Sequence, residues 1–184
     1  KGYWENGKLE GEGSFSDLSG NKYVGNWKNG VFSGTGIYDY VDGSQYEGEW
    51  FEGKYHGNGK FKSVSGSIYN GAWQFGLKEG HGTFTKRNSE EDIGDWKEDK
   101  RSGTGTQLYA NGDIYNGLWS NDYRNGYGSL IYSSGSEYNG NWIDDIKSGK
   151  GDQKYNNGNS YSGNWQNNFK NGIGKINYNN GDSY

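Results

Sequence analysis

Gly34-Thr35-Gly36-Ile37-Tyr38-Asp39-Tyr40, Val41-Asp42-Gly43-Ser44 and Gln45-Tyr46-Glu47-Gly48-Glu49-Trp50 read as two alternating segments on either side of an Asp-Gly turn signal, the pattern of a β-hairpin. Facing residues share one side of a sheet. If Tyr38 and Tyr40 are to lie beside Tyr46, Gly48 and Trp50, the loop must hold an odd number of residues, which favours three with Gly43 at positive φ. The small glycines then fall on the aromatic side, where neighbouring rings cover bare backbone. From Trp50 the chain crosses to the next hairpin through Phe51-Glu52-Gly53-Lys54-Tyr55-His56. The column at Gly53 holds Gly7, Gly30, Gly53 and Gly76, then Asp99, Asp122, Asp145 and Asn168, all residue types that tolerate a left-handed turn.

The same hairpin recurs along the whole chain. Trp4, Trp27, Trp50, Trp73, Trp96, Trp119, Trp142 and Trp165 lie 23 residues apart. The chain therefore reads as one array, 1–184, of eight repeats (1–22, 23–45, 46–68, 69–91, 92–114, 115–137, 138–160, 161–183) with no internal boundary. Tyr184 continues the column of Tyr23 and Tyr46 and would start a ninth repeat, which reads as a segment of a longer array. A fixed period of this size marks a solenoid or stacked array, in which each unit buries its apolar face only against its neighbours. All 35 glycines fall on recurring columns, so none remains for a cofactor loop and no cofactor is expected.

Composition narrows the function. Hydrophobic residues make up only 29% of the chain and are largely aromatic, so burial must come from flat rings. Zero proline suits a sheet of central strands in which every amide is needed. There is no apolar run long enough to span a membrane. With no cysteine and only His56 and His81, read as exposed turn and strand residues, no metal site is expected. The missing cysteines and Asn-x-Ser/Thr acceptors favour an intracellular setting. A net charge of −4 argues against nucleic acid as a partner.

Tyr-x-Gly-x-Trp followed by Gly-x-Gly, as in Tyr46-Glu47-Gly48-Glu49-Trp50 with Gly57-Asn58-Gly59, resembles the MORN repeat (membrane occupation and recognition nexus) in eight in-register copies. The resemblance implies an all-β fold, an elongated single-layer antiparallel sheet of stacked hairpins. It also implies a non-enzymatic scaffold in a cytoplasmic, cytoskeletal or cortical assembly, such as an axonemal one. Where the tyrosine column reaches position 92 stands Asp92, and Ser89 replaces a turn glycine. Asn88-Ser89-Glu90-Glu91-Asp92 is read as a more solvated hairpin tip, with a weak joint or a partner-specific notch as the sharper alternative.

No column supplies a convergent nucleophile, base and orienting group, so no catalytic residue is assigned. Two ladders remain for recognition. Lys78, Arg101, Arg124, Lys147 and Lys170 replace Leu9, Phe32 and Tyr55 of the earlier copies. They are expected to form a basic stripe able to meet an acidic segment or anionic lipid. Tyr40, Tyr109, Tyr132, Tyr155 and Tyr178 occupy a column that elsewhere holds Asp17, Ser63 and Lys86. These rings are expected to be partly exposed and to anchor a peptide or helix in a groove. Every Trp, and each Tyr of the Tyr-x-Gly-x-Trp motif, is assigned to the core. The leading reading is protein–protein scaffolding through groove and ends, including homo-oligomerisation by end strands. The alternative is a phosphoinositide- or anionic-membrane-binding module using the basic stripe.

Overall fold

The computed structural model describes residues 1–184 as sixteen strands, from Gly2–Glu5 to Phe169–Asn177, without a helix. The strands follow one another in a single antiparallel sheet in chain order. The 23-residue repeat runs unbroken, and within it the chain packs as two compact units: Lys1–Arg87 with Trp96–Asp99, and Asn88–Asp95 with Lys100–Tyr184.

Two turns alternate. The longer hairpin closes over Val41-Asp42-Gly43, with Tyr40 N–H donating to Ser44 O at 2.9 Å and Gly43 N–H to Tyr40 O at 3.0 Å. This is the odd, three-residue loop that parity requires, and Gly43 has φ of 90°. Tyr38 consequently pairs with Tyr46, and Gly36 with Gly48, on one face. The crossing after each Trp is a tight turn whose two central residues are both left-handed, as at Glu52 (φ 50°) with Gly53 (φ 76°) and at Asn121 (φ 50°) with Asp122 (φ 71°). Two positive φ values in sequence define the type I′ turn, whose twist matches that of the strands it joins.

The two glycines of each Gly-x-Gly serve different purposes. Gly34 sits at φ of 69° where the register shifts between Gly25 and Trp27, a bulge position that disfavours a side chain. Gly36 is extended, yet a Cβ there would come within 2.3 Å of the Tyr23 hydroxyl. The ring of each motif tyrosine lies flat over this bare backbone, and the Tyr23 hydroxyl donates to Asn26 O at 2.8 Å.

Burial follows the aromatic columns. One cluster contains Tyr23, Trp27, Tyr46, Trp50, Tyr69, Trp73 and Trp96. In the other unit Tyr115, Trp119, Leu130, Tyr138, Trp142, Tyr161 and Trp165 form a second. Each indole from Trp50 to Trp165 donates its N–H to the carbonyl of a glycine 14 residues earlier, for example Trp73 to Gly59 at 2.9 Å and Trp142 to Gly128 at 3.2 Å.

Three expectations need correction. Trp4 is 60% exposed, because its own repeat has no motif tyrosine of the kind that Trp27 packs against in Tyr23. Asp92, read as part of a solvated tip, is buried at 6% exposure. Its carboxylate is held 3.0 Å from the Arg101 guanidinium, which makes burial of the charge tolerable. His56 is half-buried between the rings of Phe51 and Phe75, at 5.3 Å from each.

Candidate binding face

The aromatic face is a lattice of edge-to-face contacts. Tyr46 meets its own Trp50 at 5.1 Å and the next Trp73 at 5.6 Å, with interplanar angles of 84° and 85°. Tyr115 does the same between Trp119 and Trp142, at 5.0 and 5.7 Å. This geometry puts the positive ring edge against the negative face of its neighbour. Burial pushes the phenols of Tyr23 and Tyr115 up to about 12, and those of Tyr46, Tyr69 and Tyr138 higher still.

The open face of each motif tyrosine takes the residue nine positions later. In the early repeats this is a ring: Phe32 stacks on Tyr23 at 3.9 Å, and Tyr55 on Tyr46 at 3.7 Å. In the later repeats it is a cation. The Lys78 ammonium lies 4.3 Å from the centre of Trp96, and the guanidinium carbons of Arg101 and Arg124 lie 3.9 and 4.2 Å from Trp119 and Trp142. Lys147 is 4.3 Å from Tyr138 and Lys170 is 4.9 Å from Tyr161. All are within the range of favourable cation–π attraction. The five heads are folded onto rings, and Arg101 and Arg124 are only 21% and 16% exposed.

A second residue anchors the backbone at four of the five bases. The left-handed turn residue 21 positions on accepts the backbone N–H of the base through its side chain. The distances are 2.9 Å for Lys78 to Asp99, 2.9 Å for Arg101 to Asp122, 3.0 Å for Arg124 to Asp145 and 2.8 Å for Lys147 to Asn168. The Arg124 Nε also donates to the Asp145 carboxylate at 2.7 Å, and its Nη2 to Asp145 O at 3.1 Å. Lys147 has an amide instead of an acid at this position and donates to Gln153 Oε1 at 2.8 Å. Burial, with Arg124 nearby, draws its ammonium down to about 8, so it is still charged at neutral pH.

The tyrosine ladder lies on this same face. Tyr109, Tyr132 and Tyr155 are half-buried against the core of the second unit, and Tyr178 is 43% exposed. Burial raises Tyr109 and Tyr132 above the ordinary phenol range. Lys147 sits 5.4 Å from the centre of Tyr132, and Lys170 5.3 Å from that of Tyr155. Within the second unit the two ladders thus meet, with Lys147 beside Tyr132 and Lys170 beside Tyr155. Tyr40, in the other unit, packs at 4.5 Å on Tyr38 and hydrogen-bonds the Tyr55 hydroxyl. An open trough of the first unit, about 790 Å³, lies on the opposite face, along Gly13, Gly25, Gly36 and Gly48 and among Glu12, Val24 and Ile37. Sequence reasoning missed the acid–base coupling between turn and stack. Its signal was present in the pairing of each base from Lys78 to Lys147 with an Asp or Asn 21 residues later, where Leu9, Phe32 and Tyr55 are followed by glycine.

A family model described as MORN repeat matches residues 1–22, 23–45, 46–68, 69–90, 93–114, 115–137, 138–160 and 161–183, passing over Glu91 and Asp92. No curated protein matches the chain. Among solved structures, it is similar to the TCP domain of Drosophila melanogaster SAS-4 (dCPAP), in complex with a proline rich motif of Ana2 (dSTIL). That match has 12% identity and a TM-score of 0.41, over 94% of this chain and 87% of that one. The TCP10c domain of Drosophila melanogaster Sas-4 matches at 13% identity and a TM-score of 0.43, covering 94% and 96%. The G-box domain of the microcephaly protein CPAP matches at 9% identity and 0.38, covering 95% and 97%.

Proposed function

The chain belongs to the MORN-repeat family, a non-catalytic repeat family, and from that premise we propose that it is a scaffold whose aromatic face holds a protein partner in a cytoskeletal or cortical assembly. The observation that carries this reading is the row of half-buried Tyr109, Tyr132 and Tyr155, continued by exposed Tyr178 and bordered by Lys147 and Lys170. Such a row offers rigid amphipathic rings, with little side-chain entropy to lose, at one repeat spacing. The hydroxyl edges and neighbouring cations suit a peptide or helix that brings apolar and acidic groups together. Proximity labelling with the wild-type chain and with Tyr109, Tyr132, Tyr155 and Tyr178 changed to Ser tests it. Loss of a specific partner set is the expected outcome, and identical partner sets would end the reading.

The folded-down geometry of Lys78, Arg101, Arg124, Lys147 and Lys170 weighs against a lipid-binding stripe, since a head stacked on indole is less available to a headgroup. Liposome flotation with these five reversed in charge checks this, and no change in flotation is expected. End-to-end association of two copies through their edge strands is a further part of the proposal, checked by sedimentation of a natively terminated array at micromolar concentration.

A further inference from the structure

The later repeats hold their own ligand. The carboxylates of Asp122 and Asp145 occupy a position defined by the backbone N–H of Arg101 and of Arg124. The same backbone exists at Phe32 and Tyr55. Gly53 N–H donates to Phe32 O at 3.0 Å as Asp122 N–H does to Arg101 O at 3.1 Å, and Gly76 N–H to Tyr55 O at 2.9 Å as Asp145 N–H does to Arg124 O at 3.1 Å. The turn residues share the left-handed conformation, with φ of 76° and 91° at the glycines and 71° and 68° at the aspartates. A Cβ built on Gly53 or Gly76 would meet no atom within 4 Å, so the space that Asp122 and Asp145 fill is open here. It belongs to a cavity of about 340 Å³ lined by Phe32, Tyr40, Gly53, Lys54, Tyr55 and Gly76 among others.

We propose that this cavity receives the carboxylates of an acidic partner peptide, which take the places that Asp122 and Asp145 hold in the other unit. The N–H groups of Phe32 and Tyr55 supply directed donors and Lys54 the charge. Charge-assisted bonds of a carboxylate to backbone N–H are among the stronger hydrogen bonds, and the surrounding rings take the peptide's apolar stem. Successive repeats are two strands apart, about 10 Å, a distance that a polyproline II chain, with three residues per turn and about 3.1 Å per residue, covers in one turn with both side chains on the same side. The favoured ligand therefore carries acids at i and i+3. This inference goes beyond the tyrosine-ladder reading and stands on different residues from those varied in its test, so either can fail alone.

The test titrates a polyproline II peptide with Asp at i and i+3, and its Asn counterpart, into the intact chain while following tryptophan fluorescence. The Asp peptide should bind about tenfold more tightly or better, with an affinity that falls as salt rises and falls again in Lys54→Ala. Gly53→Asp with Gly76→Asp should fill the site internally, raising the melting temperature while abolishing peptide binding. If those variants do not fold, Gly53→Asn with Gly76→Asn replaces them, since Asn168 fits this turn and makes the same bond. Equal binding of the two peptides, no binding of either, or undiminished binding by the filled variants would overturn the proposal.

Discussion

Tyr46 and Tyr115 occupy equivalent places three repeats apart, and their surroundings solve one packing problem twice. Over Tyr46 lies another ring, Tyr55, and the turn beyond it is Gly76. By Tyr115 lies a guanidinium, Arg124, which also covers Trp142, and the turn beyond it is Asp145. Both arrangements leave the backbone unchanged, with the turn N–H donating to the same carbonyl. A cation can therefore replace a buried ring, provided that an aromatic face and a carboxylate arrive with it to offset desolvation. Asp92 extends the rule: there the ring itself has become an acid, and Arg101 is bound by Asp92 on one side and Asp122 on the other.

The most drastic way to break the comparison is to remove what the two regions share. Tyr23 and Tyr115 ionise near 12 in the fold and near 10 when exposed. A phenol held neutral contributes stability that is fully present below pH 10 and is lost as pH rises towards 12. Both regions should unfold in that window, with tyrosinate absorbance rising together with the loss of circular dichroism. Next, Trp73→Ala and Trp142→Ala should each cost about 3–5 kcal/mol in urea unfolding, since each indole is buried and donates to a glycine carbonyl in both regions.

Smaller changes sharpen the difference. Asp92→Ala leaves Arg101 without one of its acids and should cost about 3 kcal/mol, the lower end for breaking a buried pair. Asp92→Tyr should cost much less, because it recreates the ring that Arg124 finds in Tyr115. The most informative experiment is a cycle at one site. Asp145→Gly alone should lose about 1–2 kcal/mol with the hydrogen bonds to Arg124. Arg124→Tyr alone should likewise destabilise, by stranding Asp145 beside a ring. The double variant, which reproduces Tyr55 with Gly76, should recover most of either loss, and additive effects would show that the two positions are independent.

The repeat, its strands and its two turns were legible because each depends on local parity and φ, which Gly43 and the Gly53 column reveal directly. The odd loop at Val41-Asp42-Gly43 followed from requiring Tyr38 and Tyr46 on one face, as their pairing bears out. Side-chain direction was not legible. A lysine at position 147 looks like a solvated head to any reading of residue type, because its burial depends on Tyr132, Tyr138 and Trp165 converging from different hairpins. Asp92 was misread for the same reason, since its partner Arg101 lies nine residues away across a turn.

The bond from each indole from Trp50 onward to a glycine fourteen residues behind it gives the array a direction of growth. For a polypeptide leaving the ribosome, the acceptor of each tryptophan from Trp50 onward is always synthesised before its donor. Assembly can then advance like a zipper from the first turns towards the last. The base of each later hairpin, by contrast, waits for an aspartate or asparagine still to be translated.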